Sequence, residues 1–108
     1  MTEYNKIVRD NVPHLIELDG GGCRTRTAGA EERYELLKRK LLEETGEFSE
    51  SDEAEELADI MEVVFALAGI LGYTEDDLVS MRKRKRKEAG GFQHGIVLEE
   101  TYRPDMDE

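Results

Sequence analysis

Apolar side chains recur at helical spacing in the middle of the chain. The repeat advances by steps of three and four residues and consists of Tyr34, Leu37, Leu41, Glu44 and Phe48. Side chains at this spacing lie on one face of an α-helix, which predicts a helix over residues 31–49. Glu44 is the only acid in this apolar stripe, so the pattern places one carboxylate against the protein core.

A second helix is predicted over residues 53–71, after a short polar break. Asp52 and Glu55 are spaced as a capping box for its start, and Gly72 follows its last apolar residue. Because the break is short, the two helices should form an antiparallel hairpin. Residues 63–71 are apolar on nearly every face, and a chain of this size has few helices to cover them, which predicts a homo-oligomer, either a dimer or a tetramer.

Two further helices flank this hairpin. The first is predicted over residues 11–18, with Asp10 as its N-cap. The last is predicted over residues 75–89, where Thr74 and Asp77 have the spacing of a capping box. The pattern therefore predicts four helices in a chain with few other elements.

The rest of the chain has little regular structure to offer. Residues 23–27 and 96–98 have extended character and are candidates for a small two-stranded β piece. We predict an all-α fold, a helical bundle around a central antiparallel helical hairpin. Residues 1–100 should form a single domain, and residues 101–108 an acidic, solvated C-terminal tail.

The composition of the chain limits the functions and the cellular locations that we expect for it. The chain has 108 residues and a formal charge of −11, which excludes non-specific binding to a nucleic-acid backbone. Its longest apolar run, residues 63–71, is about half of the roughly 18 residues that a membrane span requires. Cys23 is the only cysteine, and the first residues lack an apolar signal segment. We expect a cytoplasmic protein without a membrane or nucleic-acid partner.

Acidic residues on the two hairpin helices have the spacing of a metal site. Glu44 and Glu47 lie three residues apart on one helix, as do Glu56 and Asp59 on the next. A three-residue step turns a helix by about 60° from the starting direction, so both acids of a pair project the same way. Measured from the turn, the two pairs overlap in height at about 1.5 Å per residue. Four carboxylates should therefore converge on one side of the hairpin.

Such a cluster favours a hard divalent cation. Like charges that are partly buried are costly unless a cation neutralises them, and oxygen ligands without His or Cys favour Mg²⁺, with Mn²⁺ as the second choice. The alternative is that these acids only form solvated helix faces in a chain with 26 Asp and Glu residues. Glu43 and Glu44 are the candidate catalytic residues, with Glu43 placed to position or deprotonate a water. Glu62 extends the acidic row.

Cations on the last helix are candidates for contact with an anionic substrate. Residues 82–87 are six consecutive Lys and Arg. Consecutive residues fan around a helix, so the alternative is a solvated basic face, and only some of these side chains can point to one site. Lys83 and Arg86, one turn apart, are our choice for binding phosphate. Asn5, Lys6 and Arg9 are left without an assigned role.

At these residues the sequence resembles the MazG superfamily of all-α nucleotide pyrophosphatases, which includes dimeric dUTPases, dCTP pyrophosphatases and phosphoribosyl-ATP pyrophosphohydrolase. The shared pattern is Glu-Glu-x-x-Glu on one helix, residues 43–47, and Glu-x-x-Asp on the next, residues 56–59. The flanks, Tyr-Asn-Lys-Ile-Val-Arg-Asp at residues 4–10 and Gly-Gly-Phe-Gln-His-Gly-Ile at residues 90–96, resemble a subgroup of short proteins thought to remove non-standard nucleotides.

The resemblance implies an activity as well as a fold. It implies Mg²⁺-dependent hydrolysis of a nucleoside triphosphate between its α and β phosphates, yielding a nucleoside monophosphate and pyrophosphate, in an assembly formed by helix packing. Two alternatives remain open. One is phosphoribosyl-ATP pyrophosphohydrolase of histidine synthesis, which uses the same chemistry on a different base and ribose pattern. The other is a non-catalytic helical interaction module whose acids merely solvate it.

Overall fold

The computed structural model describes residues 4–104 and is helical throughout its regular structure. In chain order the helices are α1 (Val12–Leu18), α2 (Ala30–Ser51), α3 (Ala54–Ile70) and α4 (Glu75–Ala89). The all-α prediction is confirmed. The small β piece is wrong for the described part of the chain, because neither residues 23–27 nor residues 96–98 form a strand. Two segments this short, with no third strand beside them, would make only a marginal ribbon.

Helices α2 and α3 form the predicted hairpin and pack along each other. Only Asp52 and Glu53 separate them. Asp52 has φ 57°, and its N–H donates to the Phe48 carbonyl at 2.9 Å, so it ends α2 in the left-handed conformation. The capping box expected at Asp52 and Glu55 is therefore wrong: Glu53 is the N-cap of α3 and makes no side-chain cap bond. Asp is one of the few residues that adopts this conformation readily, which suits it to end a helix here.

The junction between α3 and α4 follows the sequence prediction closely. The Tyr73 N–H donates to the Ala68 carbonyl at 2.9 Å, and Gly72 has φ 92°, which together close α3 in a Schellman motif. The Thr74 N–H donates to Asp77 Oδ2 at 2.9 Å, and the Asp77 N–H donates to Thr74 Oγ1 at 3.0 Å. The predicted capping box at the start of α4 is confirmed.

The start of α1 differs from the prediction by one residue. Asn11, not Asp10, occupies the N-cap, and it makes no side-chain cap bond. The Val12 N–H instead donates to the Arg9 carbonyl at 3.0 Å, so a backbone turn leads into the helix. In the segment before this turn, Lys6 and Arg9 contact acids of the hairpin.

The hydrophobic core lies between α2 and α3 and is small. Its buried apolar side chains are Leu37, Val63 and Ala68, and the buried charged side chain is Glu44. None of the described side chains is completely removed from solvent. On α3, the large apolar side chains of Met61 and Leu57 remain 56% and 45% exposed. The hairpin therefore presents apolar surface that its own fold leaves uncovered.

The chain divides into two compact units, the first ending at Leu78 and the second beginning at Val79. The first holds α1, the hairpin and the segment before α1. The second holds most of α4 and the residues after it, where Phe92 and residues 96–98 are exposed. Within residues 4–104, no single helix is long and apolar enough to cross a membrane, and α3 and α4 reach that length and composition only as a broken pair.

Candidate active site

Three carboxylates from the two hairpin helices meet at one place. Glu44 comes from α2, and Glu56 and Asp59 come from α3. Each offers one carboxylate oxygen, and these three oxygens lie within 4.8 Å of one another. Glu56 and Asp59 share a helix face because they are three residues apart, and the short turn brings that face against Glu44. We call this set the acid trio.

Glu44 is the most deeply buried member of the acid trio. Only 6% of its surface is exposed. Its Oε1 lies 3.3 Å from Lys40 Nζ, one helical turn earlier on α2. Its Oε2 is buried and has no hydrogen-bond partner among the described residues. A buried acceptor without a partner costs roughly 1–3 kcal/mol, so this oxygen is placed to receive a ligand.

The local charge makes the acid trio unfavourable without a cation. Burial raises the pKa of Glu44, and the nearby Glu47 carboxylate raises this pKa further, against the lowering effect of Lys40. Desolvation also raises the pKa of Glu56, with further contributions from Glu47, Asp59 and Glu44. Like charges at short range thus work against full ionisation, and a bound cation would reverse this effect.

The donor set fits a hard divalent cation. All of the donors are carboxylate oxygens, the ligands that Mg²⁺, Mn²⁺ and Ca²⁺ prefer. Two oxygens bound to one Mg²⁺ ion are at most about 4.2 Å apart, so the acid trio would have to draw closer together around a bound ion. Of the four predicted ligands, Glu44, Glu56 and Asp59 lie in this tight group, while Glu47 lies beside it and acts on the pKa of two members.

Two cations from the segment before α1 reach the hairpin acids. Lys6 Nζ donates to Glu43 Oε1 at 2.9 Å, across 37 residues of sequence. Arg9 donates from a terminal guanidinium nitrogen to Asp59 Oδ1 at 2.7 Å, across 50 residues. Sequence reasoning left both cations without a role, because no local spacing links them to α2 or α3. The structure places them as counter-charges to the acidic end of the hairpin.

Glu43, the candidate for handling the attacking water, is held by two lysines. Lys6 binds one oxygen, and Lys40 Nζ lies 3.6 Å from the other. The hydrogen bond from Lys6 is the main cause that lowers the pKa of Glu43. A carboxylate with a lowered pKa is a weaker base, so this arrangement favours positioning a water over removing its proton. Lys40 was missed, although its place four residues before Glu44 is a readable signal.

The predicted phosphate ligands on α4 belong to the second unit. Lys83 and Arg86 are both exposed, and neither forms an ion pair within residues 4–104. The Arg86 carbonyl accepts a hydrogen bond from the Gly90 N–H at 2.7 Å, which helps to end α4. Their role in binding substrate stays a prediction. Glu62, predicted to extend the acidic row, is exposed on α3 and is not part of the acid trio.

No family model, no curated protein and no solved structure matches this chain. The resemblance to the MazG superfamily therefore stays a prediction from its motif residues.

Proposed function

We propose that the protein is a metal-dependent nucleoside triphosphate pyrophosphohydrolase with a MazG-like helical bundle. The observation that carries the proposal is Glu44: a carboxylate buried in the core, with one oxygen lacking a partner, in a tight group with Glu56 and Asp59. An acidic side chain whose only role is to interact with solvent is not stabilised by burial, because burial raises the free energy of its charged form. An acidic side chain that binds a cation is stabilised there, because the attraction between the carboxylate and the cation is stronger away from water.

The proposed chemistry follows from charge. Glu44, Glu56 and Asp59, with Glu47 beside them, would hold Mg²⁺ or Mn²⁺. The bound metal would neutralise phosphate oxygens and polarise the phosphorus that water attacks. Glu43, held by Lys6 and Lys40, accepts a hydrogen bond from that water and orients it toward the α-phosphorus. The α–β anhydride bond breaks, and the products are a nucleoside monophosphate and pyrophosphate. The removal of non-standard nucleotides is the proposed cellular use.

The surface of the chain supports an oligomer, most simply a homodimer. Met61 on α3 is 56% exposed and Leu57 is 45% exposed, and Phe65 and Leu67 are only partly buried by their own chain. A second copy of the chain, or a tetramer, would cover these apolar side chains.

A nucleotide panel with separate detection of products tests the proposal. Standard and modified nucleoside triphosphates, together with phosphoribosyl-ATP, are incubated with Mg²⁺ or Mn²⁺, and pyrophosphate is measured apart from phosphate. We expect pyrophosphate without phosphate, and none after chelation of the metal. Release from phosphoribosyl-ATP alone would favour the histidine-synthesis enzyme. No metal-dependent release from any nucleotide would favour a non-catalytic interaction module.

A further inference from the structure

A cavity with cationic walls lies between the segment before α1 and helix α2. Its volume is about 190 Å³. Its polar lining residues are Asn5, Lys6, Arg39, Lys40 and Glu43, two aliphatic residues complete the lining, and apolar atoms form most of the lining surface. All of these residues belong to the first unit of the chain. We call this space the cationic cavity.

The charge of the cationic cavity is opposite to that of the whole protein. It has three cations and one acid in its lining, whereas the chain carries a formal charge of −11. Cations placed together in this way repel one another, and the two carboxylates that contact them, Glu43 and Glu44, balance only part of their charge. An anion would balance the remainder.

The cations keep hydrogen-bond donors for such an anion. Arg39 has no ion pair or side-chain hydrogen bond within residues 4–104, so its guanidinium fork is available. Lys40 forms ion pairs with Glu43 at 3.6 Å and with Glu44 at 3.3 Å, and its ammonium group has three donors for these two contacts and a further one. Arginine binds phosphate oxygens in pairs, and lysine supplies a concentrated point charge beside it. This combination fits a phosphate or a carboxylate group better than a halide. Of the two, phosphate is the group that the proposed substrate carries.

The cationic cavity is adjacent to the acid trio. Lys40 lines the cavity and also contacts Glu44, and Glu43 lines it one residue before Glu44. A ligand with phosphate groups in the cavity would therefore reach the acids with its neighbouring phosphate. This arrangement separates two tasks: the acids hold the cation at the reacting phosphate, and the cavity holds the phosphates beyond it.

We propose that the cationic cavity binds the β and γ phosphates of the substrate, and hence the pyrophosphate product, through Arg39, Lys40 and Lys6. This inference rests on the proposed pyrophosphohydrolase function, and it assigns a part of the site that the acid motif does not include. The segment before α1 is then a wall of the substrate site, because Asn5 and Lys6 supply one side of the cavity. The Lys6 bond to Glu43 sets the position of that wall.

Binding of inorganic pyrophosphate to the full chain tests this inference directly. Titration calorimetry with pyrophosphate in excess Mg²⁺ compares the parent protein with Arg39→Gln and with Arg33→Gln. Arg33 is the matched control, an exposed arginine on the same helix that does not line the cavity. We expect Arg39→Gln to weaken binding about tenfold or more, since it loses charge-assisted hydrogen bonds. Arg33→Gln should change the affinity for pyrophosphate by less than about twofold, because it alters only the long-range electrostatic field.

Salt and folding controls sharpen the result. The loss at Arg39→Gln should persist at about 0.1 M and about 0.5 M salt, because a direct contact is screened less than a distant charge. Arg39 is exposed and has no described partner, so helix content by circular dichroism should not change. Equal, salt-sensitive losses in the two variants would overturn the inference and make Lys6 and Lys40 mere counter-charges to Glu43 and Glu44.

The outcome separates this inference from the proposed function. Pyrophosphate binding that depends on Arg39, in a protein that hydrolyses no nucleotide, would support the cavity and reject the enzyme. Normal kcat/KM and normal pyrophosphate affinity in Arg39→Gln, in a protein that does release pyrophosphate, would support the enzyme and reject the cavity.

Discussion

The molecule has two dense clusters of like charge, and they differ in what surrounds them. The acids at Glu44, Glu56 and Asp59 come from two helices, lie within 4.8 Å of one another and include a buried side chain. The six cations of residues 82–87 come from one stretch of α4, and all of them are exposed. Three-residue spacing on two facing helices therefore brings like charges to one place, which six consecutive residues on one helix do not.

Helical geometry explains this difference. Each residue turns a helix by about 100°, so six consecutive cations point in almost every direction around α4. Acids three residues apart point nearly the same way, and a second helix with the same spacing doubles their number at one place. The counter-charges that the first unit supplies to its own acids are Lys6, Arg9 and Lys40.

The largest expected effect comes from removing a member of the acid trio. Glu44→Gln, Glu56→Gln and Asp59→Asn should each lower metal-dependent pyrophosphate release by about a hundredfold or more, because each deletes a charged ligand while keeping its shape. Glu47→Gln should lose activity too, as a predicted fourth ligand. Rates are measured with Mg²⁺ at saturating nucleotide.

Glu55→Gln is the matched control for these variants, since Glu55 precedes Glu56 on α3, is exposed and lies outside the acid trio. It should retain nearly full activity, and all variants should keep the helix content of the parent. Near-normal turnover in any two of the four ligand variants would remove the basis for a metal site on the hairpin.

The apolar end of α3 should be as sensitive as its acidic end, for a different reason. Phe65 and Leu67 are only partly buried by their own chain. Phe65→Asp or Leu67→Asp would place a charge in the proposed interface, at a cost of several kcal/mol. Light scattering should then show dissociation, or circular dichroism should show loss of helix. A stable monomer of the parent protein at micromolar concentration would contradict the proposed assembly.

Without metal, the buried acid should cost stability. Glu44→Gln should raise the free energy of unfolding of the metal-free protein by about 1 kcal/mol near neutral pH, because it removes a desolvated charge. The folded-state pKa of Glu44 is raised, so its unfavourable contribution is full above that pKa and fades as pH falls toward the ordinary value. The gain measured by urea unfolding should shrink over the same range. A gain that is independent of pH would show that charge is not its cause.

The helices were predictable from sequence because several of their ends depend on residues that are close together in the chain. The capping box at Thr74 and Asp77 needs only residues three apart, and so does the stop at Gly72. The turn at Asp52 was misread, because the same Asp can begin one helix or end another, and local spacing does not distinguish the two. Helix α2 therefore runs to Ser51, beyond its predicted end at residue 49, and Asp52 closes it.

The candidate site was predictable only where it depends on helix spacing. Glu44, Glu56 and Asp59 follow from three-residue steps on two facing helices. The contacts of Lys6 with Glu43 and of Arg9 with Asp59 span 37 and 50 residues, so no periodicity connects them. These two contacts depend on the path that the segment before α1 takes along the hairpin. That segment has no regular secondary structure, and only its packing on the hairpin shows which acids it reaches.

The smallest expected effect concerns the basic run itself. Lys83 and Arg86 are the predicted phosphate ligands of α4, and Arg84 and Lys85 between them serve as internal controls. If the prediction holds, Lys83→Gln or Arg86→Gln should lower kcat/KM by about tenfold at low and moderate salt, since one charge-assisted bond is lost. Arg84→Gln and Lys85→Gln should have smaller effects that salt removes. Metal affinity without nucleotide should be unchanged in all four. Small, uniform and salt-sensitive losses of kcat/KM would instead show that the run is a solvated helix face. The bound metal and the cationic cavity would then be the groups that bind the phosphates.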